Sequence, residues 1–146
     1  MSCEISLADM LPVMEEVLSS GGEFSFVPDG RSMRPMLKGK RDTVTIVKPQ
    51  GRLKKYDLPL YRRANGAFVM HRVMKVQKDG YVMRGDAQYT YEPGVTDEQI
   101  IGVMTSFIRN GKKITADSLG YRLYCRVFCP CYPLKRFVLH FINKKG

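Results

Sequence analysis

Apolar residues recur at helical spacing over residues 6–19, where Leu7, Leu11, Met14 and Leu18 share a face and Glu15 and Glu16 take the other. Pro12 interrupts this pattern, either splitting the helix or marking its true start. Ser19-Ser20-Gly21-Gly22 ends it. From there the period falls to two. Alternation predicts strands over 23–27, 43–47, 58–62, 68–76, 81–84, 100–108 and 113–115. Pro59 marks its strand as an edge or a bulge. In the long strand, Val69, His71 and Val73 fall on one face, and Phe68, Met70, Arg72 and Met74 on the other. Turn signals at Pro28-Asp29-Gly30, Gln50-Gly51, Asn65-Gly66, Asp79-Gly80 and Asn110-Gly111 separate these runs. Such spacing predicts a mostly-β core of small curved sheets. Helical spacing returns after Asp117-Ser118, over 119–128. Pro130 breaks it, and Pro133 opens a second helix through Ile142.

The pattern divides the chain into an N-terminal helix (1–22), a β domain (23–116) and a helical C-terminal segment (117–146). The 146 residues are one domain's worth, 44% hydrophobic and 26% charged, as in soluble globular proteins. The net charge of +10 has three readings: a solvated basic surface, an anionic membrane surface or nucleic acid. No zinc-finger spacing, helix-turn-helix or interleaved aromatic-basic signature is present, so no nucleic acid is expected. The C-terminal segment is dense in aliphatic and aromatic residues, with Arg122, Arg126, Lys135, Arg136, Lys144 and Lys145 against the single acid Asp117. That is the composition of an interfacial helix pair at an anionic membrane surface; the plainer role is a cap on the β-core. Glu4, Asp9, Glu15 and Glu16 rule out a basic leader, and no apolar run reaches about eighteen residues, so neither signal peptide nor membrane span is expected. The expected location is cytoplasmic, with peripheral membrane association. Cys3, Cys125, Cys129 and Cys131, with His140 the nearest further ligand, lack a convincing zinc spacing. Reduced thiols and no metal or cofactor are expected.

Three segments carry chemistry. Gly30-Arg31-Ser32-Met33-Arg34-Pro35 presents a serine at a bend, His71-Arg72-Val73 places a histidine in a strand, and Gly85-Asp86 makes a turn. A serine hydroxyl becomes a nucleophile when a base takes its proton, and an acid often orients that base. A neutral imidazole does this at pH 7.

Gly-x-Ser-Met-x-Pro, the strand Asp42-x-Val44-x-Ile46, His71-Arg72-Val73 and Gly85-Asp86 resemble, in order and spacing, the type I signal peptidases and the related LexA-like self-cleaving repressors. The resemblance covers roughly residues 23–108. It implies a serine endopeptidase of that fold, with Ser32 as nucleophile and His71 as base, as in the histidine-using, endoplasmic-reticulum-like branch. Two departures stand out. Gly30 replaces the serine that helps bind the oxyanion in many signal peptidases, leaving backbone N–H groups, chiefly that of Ser32, to do so. Gly85-Asp86-Ala87-Gln88 replaces the branch's Gly-Asp-Asn-Asn, and the downstream acid is Glu92, so either Asp86 or Glu92 could orient His71; Asp86 is the first choice, expected to lie nearer because its turn follows a strand pairing with the His71 strand. The implied partner is an extended peptide or protein substrate with small residues beside the scissile bond, laid along a strand edge. The rival expectation is an inactive peptide-binding or membrane-surface module that retains the fold.

Overall fold

The computed structural model describes residues 6–39 and 41–145; Cys3 and Glu4 lie outside them. Strand residues (32%) outnumber helical ones (26%), so the mostly-β expectation holds. Helix α1 (Leu7–Ser19) is capped by Ser6, whose hydroxyl accepts from the Asp9 N–H at 3.2 Å. The helix neither splits nor starts at Pro12. Pro12 lies on the exposed side, while Met14 and Leu18 bury on the other and hold the helix to the sheet.

Among the described residues nine strands follow: β1 (Phe24–Phe26), β2 (Thr43–Val47), β3 (Pro59–Arg62), β4 (Phe68–Met70), β5 (Arg72–Gln77), β6 (Gly80–Arg84), β7 (Glu92–Val95), β8 (Ile100–Arg109) and β9 (Lys112–Thr115). One antiparallel sheet runs β1-β2-β8-β3-β4. Strand β8 pairs with β3 along its first half and with β9 along its second. The other sheet runs β5-β6-β7. Register shifts at Thr45/Ile46, Leu60/Tyr61, Val73/Lys75 and Tyr81/Met83 bend both sheets. Pro59 thus heads a bulged inner strand, not an edge.

The expected strand over 68–76 is two strands, broken at His71. Strand β4 pairs with β3 in the first sheet, and β5 pairs with β6 in the second. The other edge of β5 is taken by a loop: Tyr56 N–H donates to Val73 O at 2.7 Å and Val73 N–H to Asp57 O at 2.9 Å. Alternation cannot register such a change of partner, and the predicted two-face division fails with it. Strand β7 was not predicted, because Pro93 and Gly94 conceal it.

Helices α2 (Leu119–Val127) and α3 (Tyr132–Lys145) close the chain, and the Ser118 hydroxyl caps α2 through the Tyr121 N–H. One core cluster joins Met14 and Leu18 of α1, Met33 and Leu37, Val44, Ile46, Leu60 and Phe107 of the sheet, and Tyr121 and Cys125 of α2. A second lies between the sheets around Tyr61, Val73, Tyr81 and Met83. No helix among the described residues is long and apolar enough to cross a membrane.

Phe107 is 1% exposed, with its ring 6.3 Å from that of Tyr121. Phe107→Ala is expected to cost about 3–5 kcal/mol in urea unfolding. A loss below about 1 kcal/mol would mean that α2 is not anchored on the sheet as described.

Candidate active site

The turn bearing Ser32 is held by close backbone approaches. Gly30 has φ +102°, a left-handed conformation that glycine tolerates. A Cβ on Gly39 would lie 2.3 Å from Gly30 O, so the two glycines stack the loop's ends. On the other side, the Ala87 N–H donates to Ser32 O at 2.8 Å. A Cβ on Gly85 would meet Ser32 O at 2.5 Å and Ser32 Cβ at 3.0 Å. The Gly85-Asp86 turn therefore touches the serine only because residue 85 has no side chain. The Ser32 hydroxyl and N–H make no hydrogen bond among the described residues.

Ser32 and His71 line one cavity of about 230 Å³, walled by Met33, Leu37, Phe68 and Met70. No direct hydrogen bond joins them. His71 is 5% exposed, at the junction between β4 and β5. Its Nδ1 lies 3.3 Å from the Tyr61 hydroxyl and 3.9 Å from Glu92 Oε1. Tyr61 donates to Glu92 Oε1 at 2.8 Å, and Arg63 grips the same carboxylate with Nε at 3.0 Å and Nη2 at 2.8 Å. Burial, then the Arg63 charge, hold the imidazole below its ordinary pKa; Glu92 and Asp86 pull the other way. The Arg63 hydrogen bond keeps the Glu92 carboxyl below its usual range, and burial, with Glu92, pushes the Tyr61 phenol up. Nδ1 therefore faces a hydroxyl and, slightly further off, an anion.

Asp86 is engaged elsewhere. Arg72 donates to its two oxygens from Nε and Nη2, both at 2.8 Å, and the side chains are 0% and 1% exposed. Tyr124 donates to Oδ2 at 2.8 Å, and Arg72 Nη1 donates to Tyr56 O and to the Tyr121 oxygen, each at 2.9 Å. Burial opposes the Arg72 charge, and Asp86 outweighs it, leaving the guanidinium more basic than usual. Cys125 and Cys129 are free and buried against this pair; Cys125 Sγ lies 3.1 Å from Arg72 Nη1. Asp42 is buried, with Arg41 Nε 2.9 Å from its Oδ1.

Of the two acids left open for orienting His71, Glu92 is the one within ionic reach. Asp86, the first choice, instead forms the ion pair that locks Arg72, the residue after the histidine, to the turn behind Ser32. Tyr61 and Arg63 were missed. Tyr61 pairs with Val69, two residues before His71, so the register of the hairpin at Asn65-Gly66 places it diagonally against the histidine. No protein-family model matches the chain, and no curated protein does.

These surroundings separate the two acids. Asp86→Asn leaves the Arg72 charge buried without its partner and is expected to cost about 3–5 kcal/mol in urea unfolding. Glu92→Gln, at a half-exposed pair, should cost no more than about 1 kcal/mol. The reverse order of losses would contradict the assignment of Asp86 to structure.

Proposed function

We propose that this chain is a serine endopeptidase working by a Ser–His mechanism, like the signal peptidases it resembles. The observation carrying the reading is that Ser32 and His71 line one cavity while His71 Nδ1 lies beside the Tyr61 hydroxyl and Glu92. A peptide carbonyl in that cavity would meet the Ser32 oxygen, with His71 Nε2 taking the hydroxyl proton. The Ser32 N–H, free of other partners, would donate to the oxyanion. His71 then returns the proton to the leaving amine, and a water attacks the acyl group by the same route. Glu92 and Tyr61 act as positioning residues. The reading requires the Ser32 hydroxyl and His71 to come within hydrogen-bond reach when a peptide binds.

The second reading is a peptide-binding module without activity, favoured by the lack of a direct Ser32–His71 hydrogen bond. Incubation with a mixed peptide library, with new termini read by mass spectrometry, decides between them. The wild-type chain is expected to cleave beside small residues, and Ser32→Ala and His71→Ala to lose at least about 10³-fold in rate. No cleavage by the wild type, or equal cleavage by all three, supports the binding module.

The pH profile tests the Glu92 role. Because the His71 pKa is lowered, the base stays neutral further into acid, and the acid limb of kcat/KM should lie below about 6.5. Glu92→Gln removes an anion that favours the imidazolium, so the limb should move to lower pH as the rate falls. Arg63→Gln removes an opposing cation and should move it to higher pH. An unmoved limb in both variants would exclude electrostatic contact between this pair and the base.

A further inference from the structure

Helices α2 and α3 have inner faces that close the β-core and outer faces left exposed among the described residues. Tyr121, Cys125, Phe128, Lys135 and Leu139 are buried. On the outer face of α2, Leu119, Leu123 and Val127 stand one turn apart, exposed by 74%, 53% and 53%. On α3, Phe137 and Phe141 are exposed by 62% and 53%, with ring centroids 5.0 Å apart. Arg122 and Arg126 lie beside the α2 stripe, and Arg136 and Lys144 are exposed on α3. Residues 119–146 contain no acid. A cleft of about 390 Å³ between α2 and the loop before β3 is lined by Lys54, Lys55, Arg122 and Arg126, against Asp57 and Asp117. Arg122 and Arg126 make no ion pair among the described residues.

We propose that these outer faces bind an anionic phospholipid bilayer, with the Leu and Phe side chains entering the interface and the lysine–arginine cleft receiving lipid phosphates. Three features select this occupant. Apolar burial and charge attraction add at an anionic bilayer, whose cytoplasmic-leaflet examples reward each nearby Lys or Arg. A second copy docking the same face would set like charge against like charge. The exposed apolar side chains form a stripe on α2 and an adjacent aromatic pair on α3, which suits shallow insertion among acyl chains. Neither helix is long and apolar enough to span, so these two would lie along the bilayer surface. This proposal does not depend on the peptidase reading.

Co-sedimentation of the full chain with phosphatidylcholine vesicles, with and without phosphatidylglycerol, tests it. The wild type should bind the anionic vesicles at least about tenfold more tightly than the neutral ones. Leu123→Glu combined with Phe137→Glu, both at exposed positions and checked for retained fold by circular dichroism, should lose the binding. Arg122→Gln and Arg126→Gln should each weaken it about fivefold at low salt. Absence of wild-type binding overturns the proposal, as does equal binding by the Leu123→Glu/Phe137→Glu variant. Light scattering supplies a further contrary result: a wild-type dimer that this variant dissolves, with no vesicle binding, would assign the face to a second copy.

Discussion

The Arg72–Asp86 ion pair is the constraint on which the rest of the structure depends. Two charges withdrawn from water carry a desolvation cost that Coulomb attraction alone does not reliably offset. Here the geometry is bidentate at 2.8 Å, and Tyr124, Tyr121 and Tyr56 O supply further hydrogen bonds. The pair thereby recruits four separate parts of the chain: β5, the turn after β6, the loop before β3, and α2. Each is needed to keep the charges satisfied, and each is fixed by doing so. The Asp86 N–H even points at Met33 Sδ, 3.4 Å away, beside the nucleophile candidate.

This arrangement divides the electrostatic work at the site. With Asp86 committed to Arg72, the anion facing His71 is Glu92, itself neutralised in part by Arg63. The imidazole thus sees a carboxylate through a tyrosine hydroxyl at 3.3 Å and a guanidinium just beyond. Burial dominates and shifts the ring toward its neutral form. A carboxylate directly on Nδ1 would have favoured the imidazolium more strongly. Burial and the Arg63 charge therefore favour the neutral imidazole, and Glu92 offsets them only in part.

Much of this was legible in the sequence because it depends on local rules. Ser118 caps a helix where Asp117-Ser118 precedes an apolar run, the 43–47 strand was read to the residue, and the Asn65-Gly66 and Asn110-Gly111 turns join paired strands. What escaped depends on partners distant in sequence. Whether a strand stays in one sheet past His71 is decided by the loop at Tyr56–Asp57, which competes for its edge. Whether Asp86 or Glu92 faces the histidine is decided by Arg72, whose alternation face says nothing about its reach. Tyr61 was hidden because a tyrosine in a buried strand carries no signal until hairpin register is set.

The C-terminal helices show why a hydrophobic pattern can be right about the helix and ambiguous about its face. In α2 the side facing the protein carries Tyr121, Tyr124 and Cys125, because those groups must meet Arg72 and Asp86. The aliphatic residues Leu119, Leu123 and Val127 are consequently turned outward, the reverse of an ordinary surface helix. Sequence reading set a core cap and an interfacial segment as alternatives. The ion pair makes them compatible, since satisfying it consumes the polar side of the helix and leaves the apolar side unspent. On α3, Lys135 repeats the inversion. It is buried, with its ammonium over the Tyr89 ring at 4.8 Å and donating to Gln88 O, while Phe137 and Phe141 face out. Burial, then the nearby Arg84 charge, bring that ammonium down to about 8. Both helices thus grip the turn behind Ser32 with polar groups and present apolar ones to whatever lies beyond, so an occupant of the outer faces would bear on the same helices that hold the site's wall.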